Sequence, residues 1–321
     1  MHSNMDFLIF SGNSNLSLAK EVVKILGLRL GEATVSKFSD GEIYVRINES
    51  VRGRDVFLIQ STSSPAEVHL MEMMIMIDAL RRASANSITG VIPYFGYGRQ
   101  DRTVEPRMAI SAKLIANLLT KAGLDRLLTM DLHAGQIQGF FDIPVDNLYA
   151  TPIITKYLID KGIYGEEYVV LSPDSGGVTR ARAYAKKLNC SLAIIDKRRT
   201  GPNIAKAMNV IGEVENKNII IIDDMIDTAG TLTEAANAVL LKGAKSVKAA
   251  ATHGVLSGPA IERILNSPID ELIITNTIEI SKEKISISKI KILPVDDIIA
   301  EAIIRLHNKE SITSLFYDGD D

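Results

Sequence analysis

Short apolar runs alternate along the chain with longer segments in which apolar residues recur every three or four positions. The short runs predict β-strands and the longer segments predict amphipathic helices. Strands are predicted at residues 56–59, 90–92, 126–130, 168–171, 192–195, 218–222, 247–251 and 271–274. Helices are predicted at residues 16–26, 68–83, 111–122, 151–161, 181–188, 231–242 and 259–265. Because most strands are apolar on both faces, the pattern predicts an α/β fold whose mainly parallel sheet is flanked by helices.

Residues 55–96 and 218–254 share one order of features: strand, loop, helix, Ala and Ser, strand, and a glycine-containing turn. An internal duplication, with one copy per domain, explains this order and the length of 321 residues. Two ordinary βαβ units that agree by coincidence remain the alternative. The first copy has Gln60 and three hydroxyl residues where the second has Asp223, Asp224 and a glycine loop. If the copies are homologous, only the second retains phosphate-binding chemistry.

Residues 142–147 interrupt the alternation at Pro144, which favours a domain boundary there. The sequence therefore predicts an N-terminal domain over residues 1–146 and a C-terminal domain over residues 147–303.

Composition excludes several classes of protein. A net charge of −3 gives no electrostatic reason to expect a nucleic acid or an anionic membrane as partner. The apolar runs are far shorter than a membrane span, and the apolar stretch at residues 7–10 is too short for the core of a targeting segment, so we expect a cytoplasmic protein. Cys190 has no second cysteine to pair with and no metal-ligand spacing around it, which indicates an ordinary thiol in a reducing compartment.

The segment with the clearest chemistry is Asp223-Asp224-Met225-Ile226-Asp227-Thr228-Ala229-Gly230-Thr231. It follows a strand, and Thr231 with Glu234 three positions later predicts a capping box that opens a helix. Backbone amides at a helix N-terminus can cradle a phosphate, and Ala229 and Gly230 permit a close approach. The hydroxyls of Thr228 and Thr231 add donors.

Asp223 and Asp224 are placed to bind the vicinal hydroxyls of a sugar, or a divalent ion on those hydroxyls. A strand-to-helix turn with solvated acids is the alternative interpretation. It explains less, because acids, hydroxyls and a glycine converge within nine residues. Several other polar residues also follow apolar runs: Arg99, His133, Asp174 and Lys197, as Asp223 does. Ligands bind at the carboxyl edge of an open parallel sheet, so we expect these residues to meet at that edge.

Two further segments suit a nucleotide. Phe38 with the two carboxylates of Asp40 and Glu42 around Gly41 could stack on a purine and accept hydrogen bonds from its amine, although a surface turn explains these residues equally well. The segment 196–202 places three cations after a strand. It is either a solvated loop or a mobile one that closes over phosphates and excludes water.

These motifs carry a family resemblance over nearly the whole chain. The 223–231 segment resembles the phosphoribosyl-pyrophosphate loop of the type I phosphoribosyltransferase fold. The segments 38–42, 98–102, 131–141, 172–177 and 196–199 resemble, in the same order, motifs of the ribose-phosphate diphosphokinase family, also called ribose-phosphate pyrophosphokinases or PRPP synthetases. Gly96 and Gly98 do not extend this to a dinucleotide-binding fingerprint, because Asp101 stands at the third glycine position.

The resemblance implies two tandem type I phosphoribosyltransferase-like domains, with the tail 304–321 packing on the first. It implies ATP binding by Phe38, Asp40, Gly41, Glu42, Arg99, Gln100, Asp101 and His133. It implies ribose 5-phosphate binding by Arg199, Asp223, Asp224, Asp227, Thr228, Ala229, Gly230 and Thr231. It assigns catalysis to Lys197 and Arg199, and Mg²⁺ to His133 and Asp174, a sparse set that suits an ion which keeps its waters.

The same resemblance implies a homo-oligomer, a hexamer built from dimers. Residues 103–109 depart from the commoner family pattern, so the response to ADP and phosphate is in doubt. The implied reaction is attack by the C1 hydroxyl of ribose 5-phosphate on the β-phosphorus of Mg-ATP, with the β,γ-diphosphoryl group transferred and AMP released. A P-loop kinase is excluded because its motif is absent from the sequence.

Two alternatives stay open on the sequence. A phosphoribosyltransferase that consumes the product would share the 223–231 loop but would not need the segments at 38–42 and 99–101. A non-catalytic regulatory subunit would be expected to lose Lys197 or the acids at 223 and 224, and this chain keeps them.

Overall fold

The computed structural model describes residues 6–198, 207–281, 283 and 286–316. The chain divides into two compact units. Unit 1 comprises Met1–Tyr149, Thr277–Glu279 and Val295–Asp321, and unit 2 comprises Ala150–Asn276 and Ile280–Pro294. The chain therefore re-enters unit 1 twice after leaving it.

Every predicted strand and helix is present in the described residues, together with six strands and one helix that the pattern did not predict. In chain order, the elements are β1 (Phe7–Ser11), α1 (Leu16–Ile25), β2 (Ala33–Lys37), β3 (Ile43–Ile47), β4 (Asp55–Ile59), α2 (Ala66–Arg82), β5 (Ser87–Ile92), α3 (Ser111–Ala122), β6 (Arg126–Met130), β7 (Val145–Leu148), α4 (Thr151–Asp160), β8 (Tyr168–Ser172), α5 (Val178–Leu188), β9 (Ser191–Arg198), β10 (Ala207–Ile211), β11 (Asn218–Ile226), α6 (Gly230–Leu241), β12 (Ser246–Gly254), α7 (Ala260–Leu265), β13 (Glu271–Thr275), β14 (Ile290–Leu293) and α8 (Asp296–His307).

Each unit is built on a mainly parallel sheet. Within the described residues, the sheet of unit 1 has the order β1-β4-β5-β6-β7, and all of its pairs are parallel. The sheet of unit 2 has the order β10-β9-β8-β11-β12-β13-β14, in which β10 alone of the described strands pairs antiparallel. The run β8-β11-β12-β13-β14 repeats the order of the first sheet. The predicted α/β class is confirmed, and the repeated order is what an internal duplication would produce.

Apolar side chains on the central strands form the core of each unit. In unit 2, Ile219 and Ile221 of β11 are buried and pack in one cluster with Ala236 and Val239 of α6. Ile222, on the opposite face of β11, is also buried. Burying a side chain of this size contributes about 1.5–3 kcal/mol, so a strand covered on both faces is strongly fixed. The central position of β11 therefore holds the segment that follows it.

The loop after β4 in unit 1 is closed by its own hydrogen bonds. The Gln60 amide donates to the buried Glu72 carboxylate at 2.9 Å and accepts from the backbone N–H of Ser14 at 3.0 Å. Ser61 Oγ donates to the carbonyl of Thr277 at 2.6 Å. A Cβ at Gly12 would lie 2.4 Å from Gln60 Oε1, so this network requires glycine there. Its polar groups are satisfied from within the unit.

The boundary between the units lies three residues beyond the expected 146/147 break. Residues 145–148 form β7, which pairs in parallel with β6, so the Pro144 interruption precedes an edge strand and not a linker. A proline just before an edge strand costs no ladder hydrogen bond. The C-terminal return also begins earlier than residue 304, because all of α8 belongs to unit 1. Farther along, Phe316 meets Tyr149 edge to face, with ring centroids 5.2 Å apart.

The helices in the described part of the chain are too short or too polar to cross a lipid bilayer.

Candidate active site

In unit 2, the 223–231 segment begins inside a strand. β11 continues through Asp223 and Asp224 to Ile226, with Asp223 in register with Ala251 and Met225 with His253. The sequence prediction ended this strand at Ile222, and the reason for the difference is that β12 continues alongside and supplies the ladder bonds. The two acids are therefore fixed by the sheet.

The turn after β11 depends on the backbone of Ala229. This residue has φ = 57°, in the left-handed region, and it is the N-cap of α6. The predicted capping box is wrong, because α6 begins at Gly230 and Thr231 already lies in its first turn. The left-handed Ala229 turns the chain into the helix before Thr231 is reached. No side chain in the described residues caps α6, so its first amides keep the anion-binding character of a helix N-terminus.

The two adjacent acids face one guanidinium. Arg180 Nη1, on α5, lies 3.4 Å from Asp224 Oδ1 and 3.7 Å from Asp223 Oδ1. Asp223 Oδ1 also accepts the backbone N–H of Asp224 at 2.9 Å. Burial, together with the nearby charge of Asp224, raises the pKa of Asp223 to about 8. Near neutral pH the pair therefore keeps a proton, and it can form hydrogen bonds with sugar hydroxyls or take a share of a cation when that proton leaves.

Asp174 lies in a tight turn between β8 and α5. Its Oδ1 accepts the backbone N–H groups of Gly176 and Gly177 at 2.9 and 3.1 Å. A Cβ at Gly177 would come within 2.9 Å of Ser172 Oγ, so the turn requires glycine at that position. The carboxylate is half-exposed and held by backbone donors. A fixed, solvent-accessible carboxylate fits an ion such as Mg²⁺, which takes one or two carboxylates and completes its shell with water and phosphate oxygens.

The described residues contain no cluster of three or more His, Cys, Asp or Glu side chains that could hold a metal without a substrate. A sparse magnesium set does not require one.

In unit 1, the structure brings the 99–101 segment together with the residues that follow β6. Asp101 Oδ2 accepts the Gln136 amide at 2.6 Å, and a Cβ at Gly98 would meet His133 Cβ at 3.6 Å. The Gln100 side chain accepts the Ser111 hydroxyl at the start of α3. Arg99 and His133 are both exposed. These predicted ATP-side residues share one surface region of unit 1.

The 38–42 segment is the turn of the β2-β3 hairpin. Phe38 N–H donates to the Glu42 carbonyl at 2.8 Å, Glu42 N–H donates to Asp40 Oδ1 at 3.1 Å, and Gly41 has φ = 95°. The ring of Phe38 is 54% exposed and touches Tyr44 edge to face. A partly exposed aromatic side chain thus stands at the tip of a hairpin whose turn is closed by hydrogen bonds, where it could stack on a planar ligand.

The predicted catalytic cations are only partly covered by the structure. Lys197 lies in β9, where its backbone pairs with Met208 of β10, and its side chain lies outside the described residues. Arg199 also lies outside them.

Sequence reasoning missed Arg180, which stands more than forty residues before the acids it contacts. Only the pairing of β8 with β11 could have suggested that a cation on α5 faces them.

Two family models and several known proteins that are similar to this chain belong to one family. Residues 7–123 match the N-terminal domain of ribose phosphate pyrophosphokinase, and residues 199–317 match the phosphoribosyl synthetase-associated domain. The ribose-phosphate pyrophosphokinase of Caldanaerobacter subterraneus is 58% identical over 308 residues, covering 96% of this chain and 97% of its own. That of Fusobacterium nucleatum is 56% identical over 308 residues, with coverages of 96% and 97%.

A solved structure extends the similarity to the fold. The crystal structure of phosphoribosylpyrophosphate synthetase from Mycobacterium smegmatis superposes with a TM-score of 0.90 at 42% identity, covering 95% of this chain and 99% of that one.

The raised pKa of Asp223 predicts a pH-dependent gain in stability for Asp223→Asn. The folded protein holds a proton on Asp223 that the unfolded chain has lost, so this group lowers the free energy of unfolding as pH rises from about 4 towards 8. Asp223→Asn removes that cost. We expect its advantage in urea unfolding to be near zero at the acid end, to grow by up to about 1.4 kcal/mol per pH unit between about pH 4 and 8, and to level off above pH 8.

The exposed Asp270→Asn serves as the control and should give no such trend. An Asp223→Asn advantage that is equal at every pH would contradict the assignment.

Proposed function

This chain belongs to the ribose-phosphate pyrophosphokinase family, and from that premise we propose that it transfers the β,γ-diphosphoryl group of ATP to the C1 hydroxyl of ribose 5-phosphate, giving 5-phosphoribosyl 1-diphosphate and AMP. The observation that carries the proposal is the left-handed turn at Ala229, which opens α6 shortly after the adjacent acids Asp223 and Asp224. An ordinary phosphoribosyltransferase is disfavoured, because the ATP-side hairpin and the 99–101 segment would have no role in it.

The sugar phosphate is assigned to unit 2. Residues Asp227, Thr228, Ala229, Gly230 and Thr231 bind the 5-phosphate through backbone amides and hydroxyls at the N-terminus of α6. Asp223 and Asp224 accept hydrogen bonds from the ring hydroxyls, and Arg180 keeps both carboxylates oriented. Held in this way, the C1 hydroxyl has a fixed orientation, and catalysis by orientation needs no strong general base.

The nucleotide is assigned to residues of unit 1. Phe38 stacks on the adenine, with Asp40, Gly41 and Glu42 shaping the hairpin around it. Arg99, Gln100 and Asp101 bind the rest of the nucleotide, and His133 lies beside them. Lys197 and Arg199 are assigned to the transferring phosphates, where positive charge stabilises the transition state.

Magnesium is assigned to Asp174 and His133, together with phosphate oxygens of ATP. When bound, Mg²⁺ neutralises charge on the phosphates and polarises the bond to phosphorus. The turn at Gly176 and Gly177 keeps the Asp174 carboxylate in place for this role.

We further propose a homo-oligomer, a hexamer built from dimers, located in the cytoplasm. An apolar surface supports an association of chains. It is formed at four-residue intervals by Ile110, just before α3, and by Leu114 and Leu118 within α3, which are 39%, 54% and 39% exposed. An apolar stripe of this kind is costly in water. A reducing cytoplasm suits the one thiol of the chain, and burial raises the pKa of Cys190, which makes it a poor nucleophile.

The reaction itself is tested by the nucleotide released. The purified protein, incubated with ATP, ribose 5-phosphate and Mg²⁺, should form AMP and 5-phosphoribosyl 1-diphosphate in equal amounts, and neither without the sugar. Chromatography of the nucleotides measures this directly. Formation of ADP would mean attack on the γ-phosphorus, and AMP formation that depends on adding a second synthetase subunit would mean a regulatory role.

Phe38→Ala should raise the KM for ATP by about 10-fold, because stacking of a base on an aromatic ring is worth roughly 1–3 kcal/mol. The KM for ribose 5-phosphate should stay unchanged. Tyr44→Phe, which keeps the ring that supports Phe38, is the matched control. An unchanged KM for ATP in Phe38→Ala would remove the hairpin from the nucleotide site.

Lys197→Ala should lower kcat by roughly 100-fold or more, the usual effect of removing a donor that stabilises transition-state charge. Lys245→Ala, which removes an exposed lysine elsewhere in unit 2, is the control. Near wild-type turnover in Lys197→Ala would show that this cation does not act on the reacting phosphates.

A further inference from the structure

Two side chains from outside the 223–231 segment support its turn. The first is Ser257, in the connection between β12 and α7. Its hydroxyl donates to Asp227 Oδ1, and its backbone N–H donates to the Asp227 carbonyl at 3.0 Å. The backbone N–H of Leu256 donates to the Ile226 carbonyl at 2.9 Å. The connection after β12 therefore continues the sheet ladder and holds the first residue of the turn by both backbone and side chain.

The second is Arg263 on α7. Its Nη1 donates to the carbonyl of Thr228 at 3.0 Å. A Cβ at Gly230 would lie 3.1 Å from the same nitrogen, so the guanidinium lies against the first residue of α6. Arg263 thus contacts the turn on both sides of the left-handed Ala229.

The position of this charge is unusual for a helix. A cation near a helix N-terminus is unfavourable, because the N-terminus already carries a partial positive charge. The first turn of α6 contains no acidic residue that would compensate. The helix end and Arg263 both place positive potential at the turn, offset in part by the Asp227 carboxylate, and this potential favours a bound anion.

We propose that Arg263 and Ser257 are positioning residues for ribose 5-phosphate: they hold the 227–230 turn in its anion-binding conformation, and Arg263 adds positive potential to it. This inference rests on the proposed assignment of the turn to the sugar phosphate. Neither side chain touches the reacting atoms, so both act on the affinity for ribose 5-phosphate and leave the affinity for ATP unchanged.

Arg263 also borders a cavity that makes a sharper experiment possible. The cavity, of about 310 Å³, lies between α6 and α7 and is lined in part by Thr233, Asn237, Glu262 and Arg263. It is open to solvent, and truncating Arg263 would enlarge it beside the Thr228 carbonyl. A free guanidinium ion could then enter and replace the missing group.

Four variants and one additive test the proposal by steady-state kinetics. Arg263→Gln should raise the KM for ribose 5-phosphate about 3–10-fold. This effect is smaller than for a fully buried charged hydrogen bond, because the side chain is partly solvated. Arg263→Lys, which keeps the charge, should fall between this variant and the wild type. Millimolar guanidinium should lower the raised KM of Arg263→Ala. Ser257→Ala should show a smaller rise, because its backbone bond remains.

The control is Glu262→Gln, a neighbour on the same helix and cavity wall. It should leave both KM values unchanged. The KM for ATP and the thermal unfolding midpoint should be unchanged in every variant.

An unchanged KM for ribose 5-phosphate in Arg263→Gln would overturn the proposal. Equal rises in both KM values with a lowered unfolding midpoint would also overturn it, because they indicate general damage. Thr231→Val, which removes a hydroxyl assigned to the 5-phosphate, separates the two hypotheses. If it raises the KM for ribose 5-phosphate while Arg263→Gln does not, the proposed function stands and this inference fails. If neither variant changes it, the turn does not bind the sugar phosphate and the assignment under the proposed function fails.

Discussion

An anion cradle needs backbone amides that the protein itself leaves without strong partners, and this requirement governs the structure around α6. Such amides cannot hold their own turn in place. The left-handed backbone of Ala229 adds to the difficulty, because an alanine there costs about 1 kcal/mol relative to glycine. The turn must therefore be supported from elsewhere. The buried strand β11 fixes where it starts, and contacts from the connection after β12 and from α7 fix its shape.

The loop after β4 in unit 1, which corresponds to the turn after β11 in unit 2, does not need to keep backbone amides available for an anion. There the loop after β4 meets its hydrogen-bonding needs internally: Gln60 pairs with Glu72, and Ser61 with the Thr277 carbonyl. Every donor that is satisfied in this way is lost to a ligand. The two units thus share one strand order but use the loop after the corresponding strand differently. In unit 1 this loop is closed by its own hydrogen bonds, and in unit 2 the corresponding turn is available to a ligand.

The sequence predicted the regular elements well and the details of the site less well. The bounds of α3 and β6 agree with their predictions because periodic apolar residues define them at both ends. Strand β11 was predicted too short, since acids that would end an isolated strand are held here by a neighbour. The capping box at Thr231 failed for a related reason: local hydroxyl and acid spacing was real, but the left-handed Ala229 started the helix earlier. Arg180, Ser257 and Arg263 could not have been found locally, because each is brought to the site by pairing of distant strands.

The order in which the units are traced along the chain bears on how the protein is made. Unit 1 takes its first 149 residues from the start of the chain, but it also includes 277–279 and everything from Val295 onwards. On the ribosome, unit 2 can be complete while unit 1 still waits for α8, so the domain that is synthesised first finishes folding last. Until then, α1 exposes the surface that α8 will cover. A gene fragment cut after Tyr149 would encode this same unfinished state permanently, and the two units cannot be separated into independent halves by dividing the gene at one point.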